Sequence, residues 1–240
     1  IDEVAFEAQM QEQRARSKAH GMQGSIGWES GHNEQIMKLP KTEFLGYKDL
    51  TTEAGIVHIF QGEHELSELE AGSEGIVIAD RTPFYGEGGG QVGDKGLLWT
   101  DYGQAEVIDT KKTPSGAVLH IVRVSEGTLT KGEKATLVVD STRRSSTKKN
   151  HSATHLLHKA LRMVLGNHIE QAGSYVDDHR LRFDFTHFEA ISADDLQAIE
   201  KIVNEKIAEA LPVTATEMNL DEATARAITE IFTEVVIAPD

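Results

Sequence analysis

The stretch His151-Ser-Ala-Thr-His-Leu-Leu-His158 decides how this sequence of 240 residues is interpreted. Its three histidines stand at i, i+4 and i+7, positions that share one face of an α-helix. At about 100° per residue, the imidazoles fall within roughly 60° of arc, with the apolar positions on the other side. Those apolar positions are Ala153, Leu156, Leu157, Ala160, Leu161 and Val164. The spacing predicts a helix with an imidazole face and a core face, which ends near Leu165 at Gly166-Asn167.

The imidazole face is a candidate metal site. Two neutral imidazoles one turn apart, such as those of His151 and His155, can reach one zinc ion at about 2.0–2.1 Å. A tetrahedral site then needs two further ligands, or one ligand and a water. His158 lies on the same stripe and is a candidate substitute ligand. Because the sequence has no cysteine, any zinc site here uses histidine or carboxylate. The alternative is a helix whose histidines face solvent, since the H-x-x-x-H pattern is short.

A basic patch stands directly before these histidines and consists of Arg143, Arg144, Lys148 and Lys149. The chain as a whole is acidic, with a formal net charge of −15. This charge argues against nucleic-acid binding over the whole surface, because attraction to phosphate needs clustered Lys and Arg. The patch is therefore either a local phosphate-contacting site or a solvated linker.

The regions on either side of the histidines have different patterns. Upstream are six short β-rich runs, at residues 55–60, 75–79, 96–99, 105–108, 117–124 and 135–139. Such runs, separated by Gly, Asp and Pro, predict a small barrel or sandwich. Downstream, Gln171–Val176 and Leu181–Phe185 predict a hairpin, and Ser192 is placed to cap a helix that Pro212 stops. The chain is expected to be α+β, with a polar helix at its N-terminus.

A glycine-rich loop, Arg81-Thr-Pro-Phe-Tyr-Gly-Glu-Gly-Gly-Gly-Gln-Val-Gly-Asp94, lies inside the β-rich region. Its glycines at positions 86 to 90 are unfavourable in a regular element, so either the backbone takes positive φ there or something approaches it closely. One interpretation is a long hairpin loop. The other is a ligand-facing loop that uses the hydroxyl of Thr82, the phenol of Tyr85 and the amide of Gln91.

Taken together, these motifs resemble the alanyl-tRNA synthetases, and specifically their editing region. The resemblance covers nearly the whole chain and rests on Phe6-Glu7 with Glu12-Gln-Arg-Ala-Arg16, on residues 82–94, on residues 150–158 and on Leu181–Phe185. It implies the end of a tRNA-recognition helical region and a linker at residues 1–41. A small antiparallel, translation-factor-like β-barrel at 42–142 and an α+β editing domain at 143–240 would follow. This last domain is similar to the second additional domain of threonyl- and alanyl-tRNA synthetases.

The resemblance also implies an activity, which is hydrolysis of the ester between a wrong amino acid and the acceptor end of tRNA(Ala). A pocket for alanine cannot exclude glycine sterically and discriminates poorly against serine, so a second site must restore accuracy. By resemblance, His151 and His155 are zinc ligands, and Thr82 and Gln91 face the aminoacyl group as catalytic residues. The glycine loop would admit the terminal adenosine. The expected substrate-binding residues are Thr82, Tyr85, Gly88, Gly89, Gly90, Gln91, Arg143, Arg144, Lys148 and Lys149. The loop is therefore expected to lie against the imidazole face and to enclose a cleft between the two domains.

The sequence departs from the family pattern in its metal ligands. The family takes its other two ligands from a Cys-x-x-x-His pair, whereas this chain has no cysteine and no histidine after His187. We therefore expect half a zinc site, in a fragment whose editing domain is incomplete at its C-terminus. The family's ATP-dependent aminoacylation domain precedes residue 1, so the intact protein would ligate alanine to tRNA(Ala) and this chain alone would not.

Two other functions remain open at this point. The chain could be a free-standing alanyl-tRNA deacylase, although the helix around Glu12-Gln-Arg-Ala-Arg16 resembles the tRNA-recognition region of the synthetase. It could also be a non-catalytic tRNA-binding module. No apolar run approaches the roughly 20 residues that cross a bilayer. A cytoplasmic protein without a membrane partner is the expectation.

Overall fold

The computed structural model describes residues 34–212. The predicted N-terminal helix and the elements predicted beyond Pro212 lie outside the described residues. The described helices are α1 (Glu34–Met37), α2 (Ser141–Leu165) and α3 (Ala193–Ala208). The described strands are β1 (Glu43–Phe44), β2 (Thr51–Gln61), β3 (His64–Leu66), β4 (Glu68–Glu70), β5 (Glu74–Ala79), β6 (Arg81–Thr82), β7 (Gly96–Trp99), β8 (Gly103–Lys112), β9 (Val118–Thr130), β10 (Lys134–Val139), β11 (Gln171–Val176) and β12 (Leu181–Phe185). The chain is α+β, as the sequence predicted.

Six antiparallel strands close a barrel in the first part of the described chain. Their order is β10, β7, β8, β9, β5 and β2, and β2 pairs back with β10. These are the six predicted β-rich runs, so the alternatives of barrel and sandwich resolve to a barrel. Short strands extend it, because β3 pairs with β2 and β4 pairs with β9.

Alternate residues of these strands fill the barrel. In β10 the side chains of Ala135, Leu137 and Val139 are buried, and the residues between them are at least partly exposed. This period of two is the one that a pleated strand imposes. Leu98 of β7 and Val107 of β8 belong to the same buried cluster. The hydrophobic interior therefore holds the barrel together and fixes where its loops emerge.

The second part packs α2 against α3 and the hairpin of β11 and β12. Its core contains Ala160 and Leu161 from the predicted core face of α2, together with Ile169 and Ile199. Ser192 caps α3 as predicted, because its hydroxyl accepts a hydrogen bond of 3.1 Å from N of Asp195. Within residues 34–212, none of the helices combines the length and the apolar character needed to cross a membrane.

Helix α2 begins earlier than the linker interpretation of the basic patch allowed. It starts at Ser141, and the carboxylate of Asp140 caps it by accepting a hydrogen bond of 2.9 Å from N of Arg143. The basic patch therefore forms the first turns of the helix, so the linker interpretation is wrong. The expected domain boundary between residues 142 and 143 falls inside α2.

The imidazole face of α2 is turned toward the protein. Arg144, Thr147 and Thr154 are buried on the helical face that carries His151 and His155. The barrel loop and the β11–β12 hairpin cover this face, and α3 packs on the core face. The alternative in which the histidines simply face solvent is therefore wrong.

Candidate functional site

The glycine-rich loop lies against the imidazole face of α2, which confirms the predicted placement. Oε1 of Gln91 is 2.6 Å from Nδ1 of His151, and Gln91 is only 6% exposed. Because an amide oxygen only accepts, this contact puts the proton of His151 on Nδ1 and the ring lone pair on Nε2. The hydrogen bond between the loop and the helix therefore joins Gln91 and His151, two of the residues predicted to form the site.

A tight turn aims Gln91 at α2. Gly88 and Gln91 exchange both backbone hydrogen bonds, at 3.2 and 2.9 Å, around Gly89 and Gly90. The φ angles of these two glycines are 56° and 80°, both positive, as a type I′ turn requires. Strand β11 holds the turn in place, because N of Val176 donates to O of Gly90 at 2.8 Å.

The close approach predicted at the glycines is made by the protein's own β11. A Cβ on Gly90 would lie 2.7 Å from the carbonyl oxygen of Ser174, so only glycine fits. At Gly90 the space on the Cβ side is therefore filled by β11, and the approach of a terminal adenosine to the glycine loop stays a prediction. The N–H of Gly88 is bonded to Gln91, whereas the N–H groups of Gly89 and Gly90 make no hydrogen bond to another described residue.

A cleft of about 50 Å³ opens between the loop, α2 and the β11–β12 hairpin. It is lined by Gly89, His151, Thr154, His155, His158, Gln171, Ser174, Val176 and Phe183. Sequence reasoning missed Thr154 and the four residues of the hairpin. A signal existed for Thr154, which is three residues from His151 on the same helical face. Ser174 and Val176 share one face of β11, and Phe183 pairs opposite Ser174, but which face meets α2 was not readable.

Two imidazoles of the cleft are neutral at neutral pH. Burial lowers the pKa of His155 to about 4, and the neighbouring His151 and His158 add to this effect. Burial also lowers the pKa of His158. Nε2 of each is buried without a hydrogen-bond partner among the described residues. An unpaired buried polar atom is unfavourable, so these nitrogens mark where a bound group would be stabilised most.

The histidine pair fits one half of a zinc site. A zinc-bound histidine usually donates its other ring N–H to a protein acceptor, and Gln91 occupies that position beside His151. The ring of His155 stacks on that of His151, with centroids 5.2 Å apart. In the described part of the chain, no three His, Cys, Asp or Glu side chains are grouped so as to hold a metal ion. Residues 34–212 therefore offer two ligands and not a complete tetrahedral set.

Thr82 is placed inside the barrel and not at the cleft. Its side chain is fully buried, and its Oγ1 accepts a hydrogen bond of 3.0 Å from N of Phe84. The same oxygen is 2.7 Å from Nε2 of His120, whose Nδ1 is 2.9 Å from O of Val77. Since a carbonyl only accepts, Nδ1 of His120 carries the proton and Thr82 donates to Nε2. Burial lowers the pKa of His120 to about 4, which keeps it neutral. The expectation that Thr82 faces the aminoacyl group is therefore wrong.

The two arginines of the basic patch are used within the protein. Arg144 is 7% exposed, and its Nε is 2.9 Å from Oδ1 of Asp94. Arg143 donates through Nη1 to O of Gly93 at 2.8 Å, and its Nε is 3.2 Å from the carboxylate of Asp178. The expectation of substrate contact is wrong for Arg144, because its guanidinium is buried and paired. Arg143 is tied to the loop and to the turn of the hairpin.

The other expected substrate-binding residues have different surroundings. The hydroxyl of Tyr85 donates to O of Gly88 at 3.2 Å, so the phenol braces the loop. Lys148 and Lys149 are exposed on α2, in the turn that precedes His151. These two lysines are the cations of the basic patch that remain at the surface.

The protein is thus a two-part α+β protein. A glycine-rich loop from its closed antiparallel barrel contacts an imidazole-lined cleft in the second part. Comparison with known proteins agrees with the motifs. The family model described as class II (A) tRNA synthetases matches residues 1–143. The alanine–tRNA ligases of Acetivibrio thermocellus, Carboxydothermus hydrogenoformans and Caldicellulosiruptor saccharolyticus are 44%, 45% and 42% identical to this chain over 98% of its length. The chain therefore belongs to the class II (A) tRNA synthetase family, among the alanyl-tRNA synthetases. It spans 27% of the length of each of these curated relatives.

Proposed function

We propose that this chain is the editing region of an alanyl-tRNA synthetase and hydrolyses Ser-tRNA(Ala) and Gly-tRNA(Ala). The intact protein, in this proposal, ligates alanine to tRNA(Ala) with ATP. The observation that carries the proposal is the contact of 2.6 Å between Gln91 and His151, beside a cleft lined by two further imidazoles. Polar groups that converge on a small cleft are what a bound ester and a positioned water require.

Hydrogen-bond donors for the developing oxyanion lie on the loop. With its Oε1 bonded to His151, Gln91 keeps an amide nitrogen that makes no hydrogen bond within the described residues. The N–H groups of Gly89 and Gly90 are unpaired there as well. Preorganised donors of this kind stabilise a tetrahedral intermediate, and loss of one lowers kcat by about 10²- to 10³-fold. These three groups are the proposed binding site for the ester carbonyl.

The histidines supply neutral ring nitrogens. A zinc ion, when bound at His151 and His155, would acidify a water or orient the substrate. Gln91 holds His151 in the tautomer with its lone pair on Nε2, which is the tautomer that a metal-binding or proton-accepting ring needs. His155 and His158 stay uncharged because burial lowers their pKa. The other ring nitrogen of His158 donates to the backbone of Ile169, so its unpaired Nε2 can accept a hydrogen bond from water in the cleft.

The tRNA contact in this proposal uses the surface lysines. Lys148 and Lys149 are exposed three and two residues before His151 on α2. At about 100° per residue, Lys148 lies roughly 60° from His151, so a phosphate near the cleft would be within its reach, whereas Lys149 lies roughly 160° away and would meet tRNA farther from the cleft. The chain as a whole is acidic, with a formal net charge of −15, so a local pair of lysines would favour one approach of the tRNA end over others.

The test is single-turnover deacylation of Ser-tRNA(Ala) and Gly-tRNA(Ala) by the intact protein. We expect Gln91→Ala to slow hydrolysis of both substrates by about 10²-fold, because it removes one oxyanion donor and the partner of His151. His151→Ala should abolish both activities. Gln104→Ala, which truncates an exposed glutamine of β8, is the matched control and should react at the wild-type rate.

Two outcomes would overturn the proposal. One is an intact wild-type protein that leaves both misacylated tRNAs unhydrolysed. The other is a Gln91→Ala variant that hydrolyses both misacylated tRNAs at the same rate as the Gln104→Ala control. Thermal melts of all variants, compared with the wild type, separate a lost contact from a lost fold.

A further inference from the structure

We infer that the buried ion pair between Arg144 and Asp94 positions Gln91 against His151. Arg144 and Asp94 are positioning residues in this inference, which rests on the proposed deacylation. Neither side chain lines the cleft, and both are nearly inaccessible, at 7% and 3% exposure. Their effect on the reaction must therefore pass through the loop that carries Gln91.

The guanidinium of Arg144 joins three separate segments. Its Nε is 2.9 and 3.0 Å from the two carboxylate oxygens of Asp94, and its Nη2 bonds to the same carboxylate. Nη1 donates to O of Gly46 at 2.8 Å, and Nη2 donates to O of Pro83 at 2.8 Å. All three guanidinium nitrogens are thus used inside the protein, which fits a fixed anchor and not a phosphate contact.

Asp94 closes the loop at its base. Its Oδ2 accepts a hydrogen bond of 2.6 Å from N of Tyr85, and its own N donates to O of Tyr85 at 3.0 Å. Its O accepts from Oγ1 of Thr110 at 2.8 Å, which ties this point to β8. The segment 86–93 therefore begins and ends at the hydrogen-bonded pair of Tyr85 and Asp94. Arg144 holds this pair in place through the carboxylate of Asp94.

The same helix receives the tip of the loop. Arg144 and His151 are seven residues apart on one face of α2, which is two turns and about 10 Å along its axis. On the loop, Asp94 and Gln91 are three residues apart. Helix α2 thus contacts the base of the loop through Arg144 and the tip of the loop through His151. Because both residues belong to one rigid helix, the two contacts fix the position of the tip relative to the base. A shift at Asp94 would move Gln91 relative to His151.

Buried ion pairs add little net stability, because loss of hydration offsets much of the attraction between the charges. A planar guanidinium that contacts both oxygens of a carboxylate does fix geometry, since its donors have set directions. The substitution Arg144→Lys keeps the positive charge and removes this planar set of donors. It therefore tests geometry separately from charge.

The first experiment measures deacylation of Ser-tRNA(Ala) by the intact enzyme with Arg144→Lys. We expect kcat to fall at least about tenfold, because misplacement by about 1 Å can lower a rate by 10²-fold. KM should change less than twofold, and its salt dependence should keep its slope, whereas a lost phosphate contact would reduce that slope by about 1. The matched control is Arg123→Lys in the exposed pair with Glu74, which should match the wild type.

A double variant identifies the route of the effect. If Arg144 acts through Gln91, adding Arg144→Lys to Gln91→Ala should change kcat less than about twofold. If the second substitution lowers kcat as much as it does in the wild type, the inference is overturned. A raised KM with unchanged kcat in the single variant also overturns it, since that result indicates tRNA binding.

A spectroscopic readout keeps this inference separate from the proposed function. The ¹⁵N chemical shift of His151 Nδ1 reports its hydrogen bond to Gln91 with or without catalysis, and Arg144→Lys should change it. An unchanged shift in the folded variant overturns the positioning role. An inactive wild type would overturn the proposed function. The ¹⁵N chemical shift of His151 Nδ1 would even then show whether Arg144 positions Gln91 against His151. If Arg144→Lys does not fold, Asp94→Asn, which keeps the shape of the side chain, is measured in the same way with the same outcomes.

Discussion

Replacing Gly90 by alanine perturbs the loop where β11 approaches it most closely. The new Cβ would contact the hydroxyl of Ser174 and lie 2.7 Å from its carbonyl oxygen and 3.0 Å from its carbonyl carbon. Carbon contacts are normally about 3.5–4.0 Å, so the hydroxyl can rotate away but the backbone must move. The φ of 80° adds left-handed strain.

These two effects set the expected magnitude. An alanine in the left-handed region is disfavoured by about 1–2 kcal/mol. Relief of an overpacked contact costs about 1–3 kcal/mol more. We therefore expect Gly90→Ala to lower the free energy of unfolding by about 2–5 kcal/mol. Gly88→Ala is the matched control, because its Cβ would meet only Oη of Tyr85 at 3.6 Å and O of Gly86 at 3.8 Å. We expect a change of less than about 1 kcal/mol there.

Urea unfolding of the two variants measures the difference, and amide hydrogen exchange locates it. The N–H of Val176, which donates to O of Gly90, should exchange faster in Gly90→Ala than in Gly88→Ala. Equal stability of the two variants, with equal protection of Val176, would refute the view that β11 clamps the turn.

Three further predictions concern pH, tRNA contact and substrate choice. The pKa of His120 and of His155 is about 4 in the folded protein and about 6.5 when unfolded, so the unfolded state binds protons first as the pH falls. Stability that is complete above pH 6.5 should fall between pH 6.5 and 4, by up to about 3 kcal/mol per histidine, and a flat urea-unfolding profile over that range would contradict this. Lys148→Ala with Lys149→Ala should raise KM for misacylated tRNA and reduce its salt slope by about 2, with little change in kcat, and an unchanged slope would rule out phosphate contact. Ser174→Ala removes a hydroxyl that lines the cleft and should slow hydrolysis of Ser-tRNA(Ala) several-fold more than that of Gly-tRNA(Ala), because a lost hydrogen bond is worth about 0.5–1.5 kcal/mol. Equal slowing of the two substrates would exclude Ser174 from substrate choice.

Local patterns were sufficient for the six barrel strands, for the hairpin of β11 and β12 and for α3, but not for the short elements α1, β1, β3, β4 and β6. Each barrel strand has its own run of β-forming residues with turn residues at its ends, and neither signal needs a distant partner. The start of α2 had a local signal as well, since Asp140 stands in an N-cap position before Ser141. The cation-rich turns after it have no apolar periodicity, which is why the helix was expected only from the histidines onward.

The candidate site was less predictable, because its contacts join residues far apart in the chain. The contact of Gln91 with His151 spans 60 residues and was expected through the family resemblance. Thr82 lies at the start of the glycine-rich loop in sequence, but its hydroxyl is hydrogen-bonded to His120, 38 residues away, inside the barrel. Arg144 looked like a surface cation until Asp94, 50 residues before it, was found beside it. A single sequence carries no signal for such pairings.

The length of α2 has a consequence for any attempt to divide the protein. This helix has 25 residues and is about 37 Å long. The first turns of α2 bind the barrel through Arg144, and the remainder of the helix packs in the core of the second domain. The two domains are therefore joined by one continuous helix and not by a flexible linker. A cut between residues 142 and 143 would leave the barrel with the Asp94 carboxylate unpaired, and removal of one partner of a buried ion pair costs about 3–5 kcal/mol. Each domain expressed alone would lose contacts that α2 makes with the other. Among the described residues, the smallest fragment expected to fold therefore contains the barrel and the whole of α2.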